Sequence, residues 1–152
     1  MTDLMHSRRT FIVLSRLMAP FIRRGWIRTG RLSGALCILR TKGRKSGIVR
    51  EVSLNYALAP GGVWLMAGWG TATQWYANLL ADKHAEVAID GRARAGLAAT
   101  VEEPAERLRA VRAVLLASGW AGRAYGFDPA TVDDERLARA TAAFPVIHVG
   151  FD

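Results

Sequence analysis

Cysteine is almost absent: Cys37 is the single one among 152 residues. No intrachain disulfide and no cysteine-based metal site can form. Cys37 lies in the apolar run ALCIL and reads as a buried, inert thiol, which fits a reducing cytosol. Histidine is scarce too. His6, His84 and His148 are far apart and lack ligand spacing, so no metal site is expected. No GxGxxG follows a strand and opens a helix, which leaves a Rossmann dinucleotide site unsupported. No Ser/His/Asp arrangement can be recognised from spacing. Paired carboxylates occur only as runs (Glu102-Glu103, Asp133-Asp134-Glu135) of the kind found on solvated faces and at helix starts. Internal repeats, linkers and low-complexity segments are also missing, so residues 1–152 are read as one domain. At this length a chain buries roughly 70% of its unfolded surface.

Acids are nearly missing from the first third. Residues 1–50 carry 12 Lys/Arg against Asp3 alone, a net +11, whereas residues 51–152 carry nine against 12, a net −3. Such asymmetry suits a phosphorylated ligand, a polyanion or an anionic membrane surface. Five of the basic residues (Arg40, Lys42, Arg44, Lys45 and Arg50) fall in the eleven positions 40–50, around Gly43, Ser46 and Gly47. That composition is expected to form an anion site. Backbone N–H groups at the two glycines would approach a phosphate while the side chains neutralise it.

Residues 1–30 read as a basic, amphipathic helical segment. Phe11, Leu14, Met18 and Phe21 recur at i, i+3, i+7 and i+10 over residues 7–24, flanked by Arg8, Arg9, Arg16, Arg23 and Arg24. The stripe can pack on its own domain or lie on an anionic membrane. Ser7-Arg8-Arg9-Thr10-Phe11-Ile12 looks like a twin-arginine export signal. That reading is rejected, because the apolar stretch is broken by Arg16, ends at Arg23-Arg24 and offers no A-x-A site. It is also shorter than the ~20 apolar residues of a membrane span. A cytoplasmic protein is expected, with peripheral contact on the inner face of the membrane as the open question.

From residue 35 the pattern turns to strands: 35–41, then a Gly43–Gly47 loop, then 48–58. In the second of these Val52, Leu54, Tyr56 and Leu58 alternate with Ser53 and Asn55. Ala59-Pro60-Gly61-Gly62 is turn chemistry, and residues 63–68 form a strand buried on both faces. Thr71 or Thr73 can cap a short helix to about Asp82, with Trp75, Tyr76, Leu79 and Leu80 on one side. Residues 85–89 and 92–101 form a hairpin through Asp90-Gly91. Pro104 opens a helix that Gly119 ends, a short helix starts near 133, and residues 144–150 close the sheet. The prediction is an α+β chain, its barrel spanning residues 35–152, with about six mostly antiparallel strands curled into a closed or split barrel and helices inserted between them.

Within that frame, Ser53 and Asn55 are placed to meet a flat heteroaromatic ring, and Trp69 and Trp75 to line its pocket or fill the core. Gly43-Arg44-Lys45-Ser46-Gly47 with Arg50 resembles the GRKSG-x-x-R motif of deazaflavin-dependent nitroreductases and quinone reductases. Ala67-Gly68-Trp69-Gly70 is similar to that family's glycine turn. Trp75-Tyr76-x-Asn78-Leu79 is similar to its W-Y-x-N-L helix. The hairpin at Asp90-Gly91-Arg92 also fits, and the resemblance covers residues 35–118 best.

The resemblance implies a split β-barrel like that of FMN-binding proteins, and reduced deazaflavin coenzyme F-420 as hydride donor to a quinone or nitroaromatic. It implies that Gly43, Arg44, Lys45, Ser46, Gly47 and Arg50 hold the phosphate and polyglutamate tail. Ser53, Leu54 and Asn55 would run beside the ring, with Ala67, Gly68, Trp69 and Trp75 walling the pocket. It implies contact with membrane and a homodimer as partners to test. The turn before Trp75 is shorter than the family pattern and lacks its proline. Trp120, Tyr125 and Phe127 are the nearest candidates for the substrate region, and no catalytic residue is assigned. FMN in the same barrel, and a non-catalytic cofactor, lipid or tetrapyrrole carrier, are the alternatives. A nucleic-acid module is disfavoured, because the basic residues are not interleaved with exposed sheet aromatics.

Overall fold

Tyr56 is the residue from which the architecture follows. It separates two strands that are consecutive in sequence yet lie at opposite edges of one sheet. The computed structural model describes residues 34–152, apart from the Trp120 side chain. The amphipathic segment at 7–24 and the Trp120 ring therefore lie outside the described residues. Strands β1 (Leu36–Lys42), β2 (Val49–Asn55), β3 (Ala57–Ala59), β4 (Gly62–Met66), β5 (His84–Ile89), β6 (Arg92–Thr100) and β7 (Val146–Phe151) pair antiparallel throughout, in the order β2-β1-β5-β6-β7-β4-β3. One residue cannot bridge seven flat strands at about 4.8 Å each, so the sheet curls until its edges nearly meet. The result is a split half-barrel. Tyr56 N–H donates to the Ala35 carbonyl (3.2 Å), extending the β1–β2 ladder to the point where the chain leaves for the other edge.

Alternation sorts the apolar side chains onto two faces. Cys37, Leu39, Leu54, Val63, Leu65, Val87, Ile147 and Val149 fill the inside of the curl. Trp64, Val101 and Val146 point the other way, against Val111, Val114 and Leu115 of α2 (Pro104–Ala117) and Leu137 of α3 (Asp134–Thr141). The run Val63-Trp64-Leu65 is thus buried on both faces, as its composition predicts. Helix α1 (Gln74–Ala81) packs on β1.

The local signals explain the element ends. Asp90 and Gly91 both have positive φ (49° and 81°), the type I′ geometry that matches strand twist. The acidic pairs are helix starts: the Glu103 carboxylate accepts from Ala105 and Glu106 N–H (3.0 and 2.7 Å), and Asp133 accepts from Arg136 N–H (2.8 Å).

Three local expectations are corrected. The predicted strand 48–58 is two strands, which gives seven among the described residues where about six are expected. The break at Tyr56 places Ala57 in the α2-side core and leaves Leu58 78% exposed, off the buried face its alternation suggested. Leu80 is 63% exposed, because α1 buries the stripe through Asn78 and Leu79 instead. Neither Thr71 nor Thr73 caps α1 with its side chain. Thr73 occupies the cap position, but its hydroxyl donates to the Gly70 carbonyl (2.8 Å) and fixes the preceding turn.

Candidate functional site

The basic loop between β1 and β2 folds upon itself. Gly43 N–H donates to the Ile48 carbonyl (2.8 Å), Gly47 N–H donates to the Gly43 carbonyl (2.8 Å), and Ser46 Oγ accepts from Ile48 N–H (3.2 Å). The expectation that both glycine N–H groups face an anion is therefore corrected: the loop itself uses them. The glycines serve tightness. A Cβ at Gly43 would stand 2.7 Å from Ser46 Oγ and 2.9 Å from the Ile48 carbonyl oxygen, and Gly47 has φ +69°. What the loop and the start of β2 turn outward is the side chains of Arg44, Lys45 and Arg50, all exposed.

Helix α1 pins this loop. Asn78 is 4% exposed, and its Oδ1 accepts from both the Arg44 backbone N–H (3.2 Å) and Arg44 Nη1 (3.0 Å). Its Nδ2 donates to Thr41 Oγ1 (3.2 Å), and Gln74 Oε1 accepts from Arg44 Nη2 (3.0 Å). The loop motif and the helix motif are thus one hydrogen-bonded unit.

Loop, β2, the glycine turn and α1 enclose a cleft of about 1000 Å³, whose far wall is the end of α2, the turn after it and Phe144. Gly43, Arg44, Lys45, Ser46, Arg50, Ser53, Leu54, Asn55, Gly68, Trp69 and Trp75 all line it. Gly47 and Ala67 do not. Gly47 shapes the loop from behind, and Ala67 is fully buried, its N–H donating to the Pro145 carbonyl (2.8 Å). Asn55 Nδ2 donates to the Ala35 carbonyl (3.1 Å), so its amide also ties the end of β2 to the chain entering β1. Trp75 does both things weighed for it, packing on the inner core and facing the cleft.

Thr41, Gln74, Met66 and Phe144 line the cleft without a role expected from sequence, and so does Asn78, expected only as part of the Trp75-Tyr76-x-Asn78-Leu79 motif. Asn78 had a signal, a polar residue on the apolar side of a short helix, and Phe144 had none. Tyr125 reaches the cleft; Phe127 stacks behind it (centroids 6.3 Å apart), and Phe144 meets it edge-on at 5.7 Å. Burial pushes the Tyr125 hydroxyl above its usual range, so it remains a protonated phenol. A Cβ at Gly68 would lie 3.2 Å from that hydroxyl oxygen, so the glycine keeps the gap open.

Charge in the cleft is one-sided. Its acid, Glu51, sits directly across from Arg40, whose Nε donates to Glu51 Oε1 (3.1 Å) and whose Nη1 pairs with Glu86 on the next strand. Among the described residues, no carboxylate stands within ion-pair distance of Lys45 or Arg50. The mouth is cationic and the interior is apolar, with Leu54, Met66, Trp75 and Phe144. Such a lining is complementary in charge and polarity to a molecule with an anionic tail and a flat, largely apolar head.

Other chemistry is unsupported. Burial pushes the Cys37 thiol up to about 12, so it is no nucleophile. His84 pairs with Asp82 (2.7 Å) and His148 Nε2 lies 2.9 Å from the Pro60 carbonyl, both away from the cleft. Among the described residues, no three His, Cys, Asp or Glu cluster as metal ligands, and no helix is long and apolar enough to cross a membrane.

Residues 14–133 match the family model described as F420H(2)-dependent quinone reductase. No curated protein matches the chain. Among solved structures, one similar to it is a Bacteroides thetaiotaomicron protein provisionally named for 5-nitroimidazole antibiotic resistance (14% identity, TM-score 0.56, covering 79% of this chain and 74% of that one). The conserved hypothetical protein Rv2991 of Mycobacterium tuberculosis is also similar (20% identity, TM-score 0.53, 78% and 74%). A heme binding protein of Mycobacterium smegmatis aligns at 21% identity and TM-score 0.54, covering 77% of this chain but 46% of that one. At these identities the likeness is one of fold, the split barrel described above.

Proposed function

Because this chain belongs to the family of F420H(2)-dependent quinone reductases, which are oxidoreductases, we propose that its cleft binds reduced deazaflavin coenzyme F-420 and serves hydride transfer to an electron-poor acceptor such as a quinone or nitroaromatic. The observation that carries this reading is the joining of a cationic loop to an aromatic-lined cavity of about 1000 Å³. That volume is at the upper end of small-molecule pockets, as a tricyclic ring with a phosphorylated tail requires.

The residues fit the group. Lys45 and Arg50 would take the phosphate and carboxylates of the tail, with Arg44 offering the donors that Asn78 and Gln74 leave open. Ser53, Leu54 and Asn55 on β2 would flank the ring, and Trp69 and Trp75 would cover it. Gly43 and Gly47 would act through the loop's shape, and Ala67 through the seating of Gly68. When bound, the reduced deazaflavin supplies a hydride, and water can supply the proton that completes reduction of a quinone. The chain's own contribution is orientation. The cavity between Gly68, Tyr125 and Phe144 would hold the acceptor against the ring, and its apolar lining would exclude water. Tyr125 Oη would donate a hydrogen bond to an acceptor oxygen there. We assign no residue as catalytic. The basic segment at 1–30 supports peripheral contact with an anionic membrane, which would suit a lipid-soluble acceptor.

Titration of the protein with oxidised and reduced coenzyme, followed by quenching of Trp69 and Trp75, tests the reading. Saturable quenching, with acceptor-dependent oxidation of the reduced form, is the expected result. An absence of binding by the wild-type protein would sink it.

A further inference from the structure

We infer that Asn78 is a positioning residue for the anion-binding loop: through one buried amide it fixes both the backbone and the guanidinium of Arg44, so that the cationic mouth is formed before any ligand arrives. The inference rests on the cleft being the cofactor site. Three hydrogen bonds from one side chain carry it. Oδ1 takes the Arg44 N–H and Nη1 together, and Nδ2 holds Thr41 at the end of β1. Asn78 is nearly fully buried, whereas Arg44 is exposed. The rigid partner is therefore the helix, and the restrained partner is the loop. Gln74 grips the same guanidinium from an exposed site and is the weaker hold.

A long, rotamer-rich arginine loses much conformational freedom when it binds an anion. Fixing it in advance removes part of that cost from the binding step. Oδ1 leaves Nε and the remaining Nη hydrogens of Arg44 for the ligand, because one guanidinium carries five donors. This also accounts for the loop and helix motifs standing together in one chain, since each completes the other's hydrogen bonding.

The test is a double-mutant cycle on the full chain. Asn78→Ala, Arg44→Ala and the double variant are titrated with oxidised coenzyme F-420 and, separately, with inorganic pyrophosphate. Thermal unfolding checks that each is folded, and Asn78→Ser replaces Asn78→Ala if the latter does not fold. Asn78→Ala should weaken coenzyme binding about tenfold in the wild-type background. In the Arg44→Ala background the same change should cost less than about threefold, because the guanidinium it holds is gone and only the bonds to the residue-44 N–H and to Thr41 remain. Gln74→Ala should cost less than Asn78→Ala in the wild-type background. Additive losses, which would show that the Arg44 guanidinium is not what Asn78 holds for the ligand, or Asn78→Ala binding as tightly as wild type, would overturn the inference. If the wild type ignores the coenzyme but binds pyrophosphate, the cofactor reading falls, and the same cycle with pyrophosphate decides this inference alone. Binding of neither ligand overturns both.

Discussion

Replacing Lys45 and Arg50 together by alanine removes two of the three cations that line the cleft, neither of which has a carboxylate partner among the described residues. Neither side chain is buried, so the fold should survive, with a change in thermal midpoint of a few degrees at most. Binding should not. A hydrogen bond to a charged group contributes about 1.5–3 kcal/mol when shielded, and an exposed ion pair about 0.2–1 kcal/mol. Ligand phosphate at the mouth would be between these limits, so about 1–2 kcal/mol per cation is reasonable. Together that is about 2–4 kcal/mol, or roughly 30- to 1000-fold in Kd. The electrostatic origin supplies a second signature. At 0.15 M salt the screening length is about 8 Å, so wild-type affinity should fall as salt is raised and the variant's should fall less. Fluorescence titration at a series of sodium chloride concentrations reads both quantities. A variant that binds within about threefold of wild type, or that keeps the full salt dependence, would refute the assignment of these cations to the ligand's tail.

Other outcomes follow from single features. Leu65→Ala, at a fully buried position inside the curl, should cost about 2–5 kcal/mol by denaturant unfolding; a loss below about 1 kcal/mol would contradict the packing described. Gly43→Ala, whose Cβ would meet Ser46 Oγ and the Ile48 carbonyl oxygen, should lower coenzyme affinity more than it lowers stability. Equal effects on both would show that the loop's shape does not matter to the site. Gly68→Val should raise the acceptor's KM while leaving coenzyme Kd nearly unchanged, since it narrows the gap beside Tyr125; a change confined to Kd would place that gap on the ring instead. Cys37 has its pKa raised from 9.0 to about 12 by burial. Its contribution to stability is therefore whole below about pH 9 and is lost as pH rises toward 12. Cys37→Ala should lack that part of the alkaline loss, and the native thiol should resist alkylation at pH 8. Rapid labelling of the folded protein would disprove the burial.

Much of the barrel was readable in the sequence, because its signals are local. Alternation marked the strands, Asp90-Gly91 the hairpin, and Pro104 and Gly119 the limits of a helix. The glycine-punctuated basic loop was readable for the same reason. The split at Tyr56 was not. Strand periodicity continues smoothly through that residue, and only closure of the sheet requires the chain to change edges there. The partners of the Gly43 and Gly47 N–H groups are not legible either, because composition says that a backbone donor exists, not which acceptor reaches it first. Asn78 looked like a motif letter until α1 was set against β1, and the cleft wall at Phe144 joins residues a hundred positions from the loop it faces. Leu58 and Leu80 show the complementary error, in which an apolar residue in phase with its neighbours is left in water by the next layer of packing.

The place of β7 in the sheet has a consequence for the order of assembly. It is hydrogen-bonded to β6 on one side and β4 on the other. Without it the remaining strands fall into a four-stranded group, β2-β1-β5-β6, and the isolated pair β4-β3. A lone pair is at best marginally stable in water. Residues 146–151 leave the ribosome after every other strand of this sheet, so the nascent chain holds two unjoined pieces until then. Phe144 and the seating of Ala67 on Pro145 arrive with the same segment. The cleft thus becomes complete in the same event that unites the sheet, and a chain that has not finished folding has no finished cleft.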